Sequence, residues 1–196
     1  MTLTDFQLAN QAMVKKDYPR AVELYVRHAE RCPVEAAKAY AGAAECCLRS
    51  NILIKLPPIA GGITLVSKAD RQGAECYFRL ALQSDRECLR ALWGLSQLLP
   101  DGAEERLDLL ERAVAKQPGT LNLVALGDYQ RTHRKNLDKA HEIYRKACEH
   151  DPKDQTAYLR LNDICRRMGR EDEARMWSEK WAEAKKTKRR VDGRPD

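Results

Sequence analysis

Apolar residues recur along most of this chain at the spacing of amphipathic α-helices. Tyr158, Leu161, Ile164 and Cys165 follow one another at helical intervals and therefore share one face of a helix. A second face of this kind is formed by Ala91, Leu92, Leu95, Leu98 and Leu99. The pattern predicts a chain built mainly of helices whose apolar faces pack against one another.

Two segments, YPRAVELYVRHAERCPVE (18–35) and LDKAHEIYRKACEHDPKD (137–154), share a pattern of an aromatic residue or Leu, then Ala, Tyr and Pro. A spacing of 34 residues separates several further pairs, namely Pro118 and Pro152, Ala113 and Ala147, Leu110 and Tyr144, and Ala140 and Ala174. Turn-like stretches (KKDYPR, PDGAEE, HRKNLD and MGREDE) precede the Ala-containing helices. The chain is therefore predicted to repeat a helix–turn–helix unit every 34 residues.

This repeat resembles the tetratricopeptide repeat. The matching residues in one unit are Gly127, Leu137, Ala140, Tyr144, Ala147 and Pro152, and in the last unit Leu161, Gly169 and Ala174. The resemblance implies an all-α, right-handed α-solenoid of about five hairpins, over units 2–35, 36–86, 87–118, 119–152 and 153–186. It would form one domain over 1–186, followed by a basic tail over 187–196. An ordinary helical bundle is the alternative that the apolar periodicity alone leaves open.

The second unit is too long for the repeat. Its key alanine, Ala74, lies 53 residues after Ala21, and a 34-residue repeat leaves 53 − 34 = 19 residues over. Helical spacing ends near Arg49 and resumes near Ser67, which is predicted as the N-cap of the next helix. We therefore expect an insertion at about 51–69, between the two helices of the second hairpin.

The insertion sequence, NILIKLPPIAGGITLVSKAD, is apolar but is broken by Pro57-Pro58 and Gly61-Gly62. It is too short for a membrane-spanning helix and lacks the spacing of a phosphate-binding loop. Two interpretations stay open. The segment is either a loop that packs back on the repeats, or an extended arm that fills the groove or docks a partner. The arm would present Ile52, Ile54, Leu56, Ile59, Ile63 and Leu65.

Composition and charge favour a helical, intracellular protein. Charged residues make up 33% of the chain and aromatic residues 6%. The seven cysteines are odd in number and lack CxxC spacing, and the N-terminus has no signal-peptide pattern, so we expect a cytoplasmic location. The net charge is +6, and residues 184–196 contribute 6 − 2 = +4 of it. The tail basic residues are Lys185, Lys186, Lys188, Arg189 and Arg190. Aromatic residues are not interleaved with them, which argues against nucleic-acid binding.

Candidate chemistry is sparse. No HExxH, CxxC or GxSxG motif occurs, and the four histidines are scattered along the chain. We therefore expect no enzymatic activity, no cofactor and no metal site. The resemblance instead implies binding in a concave groove lined by the first helix of each hairpin. The residues that match those positions are Phe6, Asn10, Met13, Tyr40, Ala44, Trp93, Gln97, Leu159, Asp163 and Arg167.

These observations predict a protein-interaction scaffold or adaptor that binds a peptide or helix of a partner protein in the groove. One subclass of the family grips a carboxylate with Lys and Asn, but here only Asn10 matches, because Phe6 and Ala41 occupy the other positions. The main alternative is an obligate subunit of a larger assembly, including one associated with a membrane, with groove and insertion permanently occupied. A lesser alternative is binding of nucleic acid or anionic surfaces through the tail.

Overall fold

The computed structural model describes residues 3–49 and 70–191. These residues form ten α-helices and no strand. The helices are α1 (Asp5–Val14), α2 (Tyr18–Arg31), α3 (Ala36–Arg49), α4 (Arg71–Ser84), α5 (Leu89–Leu98), α6 (Glu104–Lys116), α7 (Thr120–Thr132), α8 (Leu137–His150), α9 (Gln155–Arg167) and α10 (Glu171–Val191). The prediction of an all-α fold is confirmed. The predicted insertion, with all six of its proposed arm residues, lies outside the described residues.

Two expectations about helix ends are corrected by the structure. Helix α4 is capped by Asp70, whose Oδ1 accepts a hydrogen bond of 2.8 Å from the Gly73 amide. The expectation that Ser67 is its N-cap is therefore wrong, because Asp70 satisfies a free amide and also places a negative charge at the positive end of the helix. Helix α10 continues to Val191, so the predicted tail at 187–196 begins inside a helix.

A left-handed backbone residue precedes four of the second helices. Lys16 (φ 62°), Gly102 (φ 84°), Lys135 (φ 53°) and Gly169 (φ 72°) each lie two residues before the start of α2, α6, α8 and α10, respectively. A residue in this conformation ends one helix and reverses the chain. Glycine adopts it freely, whereas the two lysines do so at a cost. Lys16, Lys135 and Gly169 lie within two residues of a helix C-cap, whereas Gly102 lies in a separate turn, in which the Ala103 amide donates a hydrogen bond to the Pro100 carbonyl.

The chain divides into two compact units, Met1–Leu99 and Pro100–Asp196, and the division falls inside the third predicted repeat. In the first unit, α1 to α5 pack in sequence, each against the next, and α3 also packs against α5. Alanines with no exposed surface let these helices approach closely: Ala9, Ala21, Ala39, Ala41, Ala43, Ala44, Ala74, Ala81 and Ala91. The core of this unit is therefore made mostly of small residues, and large side chains fill the space that remains between the helices.

Aromatic side chains fill the remaining space by lying against glycines of a neighbouring helix. In the first unit the ring of Tyr25 on α2 faces Gly42 on α3, where a β-carbon would lie 2.8 Å from Tyr25 Cζ. Phe78 on α4 occupies the same kind of position against Gly94 on α5. At both places a side chain in place of glycine would displace the ring, so the glycines are required by packing.

The second unit contains the same kind of contact between an aromatic ring and a glycine. Helices α6 to α10 pack in sequence, and the fully buried ring of Tyr144 on α8 lies against Gly127 on α7. Trp177 on the last helix is 7% exposed and packs against Tyr158 of α9, with ring centroids 6.0 Å apart. Lys180 Nζ lies over the Trp177 ring, 4.5 Å from its centroid, as a cation–π contact.

Replacing Gly127 by Ala is expected to destabilise the protein. Alanine gains about 1 kcal/mol of helix propensity, but overpacking a filled site costs about 1–3 kcal/mol. Tyr144 cannot move aside, because it is fully buried and its hydroxyl donates a 2.7 Å hydrogen bond to Asp128. We expect a net loss of up to about 2 kcal/mol in the free energy of unfolding, measured by chemical denaturation followed by circular dichroism. In a Tyr144→Leu background the same change should be neutral or stabilising, and an equal loss in both backgrounds would contradict the packing argument.

Replacing Lys135 by Gly is expected to stabilise the protein by up to about 1 kcal/mol, because glycine adopts the left-handed conformation without steric cost. The matched control is Lys146→Gly, in the middle of α8, which should instead lose about 1 kcal/mol of helix propensity. Both lysines are exposed. Denaturation midpoints of the two variants should therefore move in opposite directions, and a fall in both would show that the turn does not strain Lys135.

Candidate functional site

The predicted groove residues of α1 serve partly as internal packing. Phe6 is half-buried and its ring packs against Tyr25 and His28 of α2, at centroid distances of 5.4 and 5.3 Å. Asn10 Oδ1 accepts a 2.5 Å hydrogen bond from the Tyr25 hydroxyl. Met13 is half-buried. Only the outer parts of these side chains are therefore available to a partner.

In α3 and α5 the predicted positions differ sharply in exposure. Tyr40 is half-buried and stacks on Tyr77, with centroids 6.3 Å apart. Ala44 has no exposed surface, because α3 packs against α2, α4 and α5, so Ala44 cannot itself contact a partner. Trp93 is half-buried, and Gln97, one turn further along α5, is exposed.

Helix α9 carries the most accessible of the predicted residues. Leu159 is 49% exposed, and the side chains of Asp163 and Arg167 are 46% and 55% exposed. The three residues are spaced by four along the helix and therefore lie along one stripe. Arg167 Nε donates a 2.9 Å hydrogen bond to Asp163, which also pairs with Arg131 of α7 at 3.6 Å. The stripe thus has an apolar end and a charged end.

A charged network between α7 and α9 borders this stripe, and sequence reasoning missed it. Asp128 accepts hydrogen bonds from the Tyr144 hydroxyl at 2.7 Å and from Arg160 Nε, whose closest approach is 2.9 Å, and it also pairs with Arg131 at 3.3 Å. The Tyr144–Asp128 bond has a counterpart in the Tyr25–Asn10 bond of the first unit. That shared position, on the first helix one turn before its end, was the signal in the sequence that could have indicated Asp128.

The basic residues of the tail lie on α10. Lys185 Nζ is 4.9 Å from the centroid of the Trp181 ring. Lys186, Lys188, Arg189 and Arg190 belong to the same helix, but their side chains fall outside what the structure describes. The helix therefore fixes the backbone of this basic run, whereas a free tail was expected.

Four of the buried thiols are not activated nucleophiles. Burial raises the pKa of Cys46 and of Cys165 to about 11 and that of Cys148 to about 12. Burial also raises the pKa of Cys47. Because the thiolate is the reactive species, these four side chains are protonated and unreactive as nucleophiles at neutral pH when no metal ion is bound. Among the described residues, no helix is both long and apolar enough to cross a membrane.

Comparison with known proteins finds no matching family model and no matching curated protein. Solved structures do match. MamA aligns with a TM-score of 0.71 at 18% identity, over 93% of this chain and 96% of that one. YrrB, described as a TPR protein with an unusual peptide-binding site, aligns at 0.65 and 20% identity, over 92% and 84% of the two chains. Yeast Tom70 aligns at 0.63 and 17% identity, over 92% of this chain and 35% of its own.

The chain has the tetratricopeptide-repeat fold. The resemblance inferred from the 34-residue spacing is thereby confirmed for the fold, and identities this low establish no shared partner. In this fold α1 and α3 of the first unit, and α7 and α9 of the second, are the first helices of packed hairpins, and α5 has the same position by the register of the sequence repeat. The tetratricopeptide-repeat fold also accounts for the small residues and aromatic side chains that recur in the two units.

Proposed function

We propose that this protein is a non-catalytic interaction scaffold that holds a peptide or helix of a partner protein on the first helices of its repeats. The proposal is supported by the tetratricopeptide-repeat fold and above all by the exposed stripe of Leu159, Asp163 and Arg167 on α9. A solved protein with the same fold, YrrB, is described as having a peptide-binding site. For this chain the groove is our inference.

The α9 stripe has the features of a binding surface. Leu159 offers an exposed apolar contact, and Asp163 and Arg167 offer polar groups that would fix the orientation of a bound segment. Arg131 and Arg160 hold the neighbouring carboxylates in place through ion pairs with Asp163 and Asp128. A partner would therefore meet groups that are already positioned, which lowers the entropic cost of binding.

In the first unit, Trp93 and Gln97 are the groove residues best placed for a partner. They lie four residues apart on α5, and Gln97 Nε2 donates a 3.3 Å hydrogen bond to Ser96 Oγ. Tryptophan is enriched among the residues that dominate binding energy, because one rigid ring supplies a large contact area. Phe6, Asn10, Met13 and Tyr40 contribute their outer edges to the same proposed surface.

The apolar insertion favours a second arrangement, in which the chain is an obligate subunit with its surface permanently covered. An apolar strip such as Ile52, Ile54 and Leu56, if it were solvated, would need a partner. The two arrangements differ in the behaviour of the isolated chain. A monodisperse recombinant protein supports a scaffold that exchanges partners, and solubility only on co-expression with a partner supports the obligate subunit.

We place the protein in a reducing compartment, the cytoplasm. All seven cysteines are free, and five of them are buried in helix packing: Cys46, Cys47, Cys88, Cys148 and Cys165. Free cysteine behaves as a small apolar side chain in such positions. An oxidising compartment would instead favour disulfides that cross-link the fold.

Replacing Leu159 by Asp is expected to weaken capture of the partner protein at least tenfold, because it puts a charge where the bound segment would pack. The side chain is exposed, so its effect on folding should stay within about 0.5 kcal/mol. The matched control is Met176→Asp, which alters an exposed apolar residue (40%) on the second helix α10. Quantitative affinity capture with mass spectrometry, from cells that express each variant, compares the two.

Trp93→Ala tests the first unit in the same assay, with circular dichroism as the check on folding. Proteins lost with Leu159→Asp or Trp93→Ala but kept with Met176→Asp would be the groove partners. Equal recovery of every captured protein by the wild type and by both groove variants would contradict the assignment of the binding surface to the first helices.

A further inference from the structure

Three side chains capable of binding a metal ion meet where α8, α9 and α10 pack in the second unit. They are His141 on α8, Cys165 on α9 and Glu173 on α10, and one ligand atom from each lies within 4.8 Å of the others. His141 Nε2 and Glu173 Oε1 are 2.8 Å apart. None of the three belongs to the surface proposed above for partner binding.

The cluster is closed on one side and open on the other. Cys165 is fully buried, whereas 13% of the His141 side chain and 28% of the Glu173 side chain are exposed. A metal ion bound here would contact the buried sulfur of Cys165 on its inner side. Water could reach it between the imidazole and the carboxylate.

The donor set is one that zinc accepts. Zinc binds imidazole nitrogen, thiolate sulfur and carboxylate oxygen at about 2.0–2.3 Å, with tetrahedral geometry. Such bond lengths place ligand atoms roughly 3.3–3.8 Å apart. The present separations, from 2.8 Å up to at most 4.8 Å, bracket that range, so small side-chain movements would complete the geometry.

We propose that His141, Cys165 and Glu173 form a zinc site with water as the fourth ligand. Binding would replace the hydrogen bonds of the metal-free cluster by three coordinate bonds. The proton of the Cys165 thiol and the proton that His141 Nε2 donates to Glu173 would leave to solvent, and the neutral imidazole would keep its proton on Nδ1. The metal would link α8, α9 and α10 and so fasten the last helix to the second unit.

Two neighbouring groups act on the same carboxylate. Trp177 Nε1 donates to Glu173 Oε1 at 3.3 Å and would orient Glu173 as an outer-shell partner. Arg170 Nη1 lies 3.7 Å from Glu173 Oε2, and its positive charge would weaken the binding of a metal cation. Arg170 also pairs with Asp138 at 3.5 Å, so it has a second carboxylate available when the metal binds.

Cobalt(II) is the probe that tests the site, because a thiolate ligand gives it a sulfur-to-metal charge-transfer band. Untagged full-length protein, freed of metal by chelator and kept reduced, is titrated with Co²⁺ and then with Zn²⁺ as competitor. We expect one Co²⁺ per chain, a charge-transfer band with tetrahedral visible bands, and displacement by Zn²⁺. A higher melting temperature with Zn²⁺ is expected as well.

The variants separate this site from adventitious binding. Cys165→Ser should remove the charge-transfer band, whereas Cys148→Ser, a buried cysteine of the same unit outside the cluster, should keep it. His141→Gln and Glu173→Gln should weaken binding by about tenfold or more, and Arg170→Gln should tighten it. If Cys165→Ser fails to fold by circular dichroism, the affinities of His141→Gln, Glu173→Gln and Arg170→Gln decide. The proposal is overturned by the absence of the band in the wild type, or by unchanged affinity in His141→Gln and Glu173→Gln.

Discussion

The fold depends on close contact between an aromatic ring on one helix and a glycine on its neighbour. Tyr25 against Gly42, Phe78 against Gly94 and Tyr144 against Gly127 repeat this contact in the two units. The helix that carries each ring also carries fully buried alanines, which let the helix backbones come near enough for the ring to fill the space between them. A single hairpin cannot bury such a ring, so the repeats stabilise one another.

The features predicted correctly from sequence are those fixed by packing within a repeat. The spacing of Ala140, Tyr144 and Pro152 gives the register of a hairpin because each residue type has a steric role that other types cannot fill. The start of α4 was placed too early. Ser67 and Asp70 both have side chains that can cap a helix, and the sequence does not show at which of them the helical backbone begins. The length of α10 was underestimated because its basic end has the composition of a solvated tail.

The candidate site was predictable in part. Register identifies the first helices, and so indicates Leu159, Asp163 and Arg167, which are exposed along one stripe of α9. It does not reveal how much of each side chain neighbouring helices cover, and Ala44 is fully buried for that reason. The cluster of His141, Cys165 and Glu173 has no motif at all, because three helices bring together residues that are far apart in sequence.

The most direct test of the account asks which helices touch a partner. A photo-crosslinking amino acid is introduced at Gln97 or Asp163 on first helices, and at Arg79 or Arg145 on second helices, all in exposed or half-exposed positions. Crosslinked products with a captured partner are then identified by mass spectrometry. We predict that the partner is crosslinked from Gln97, Asp163 or both, and from neither of the other positions. Crosslinks confined to Arg79 and Arg145 would contradict it.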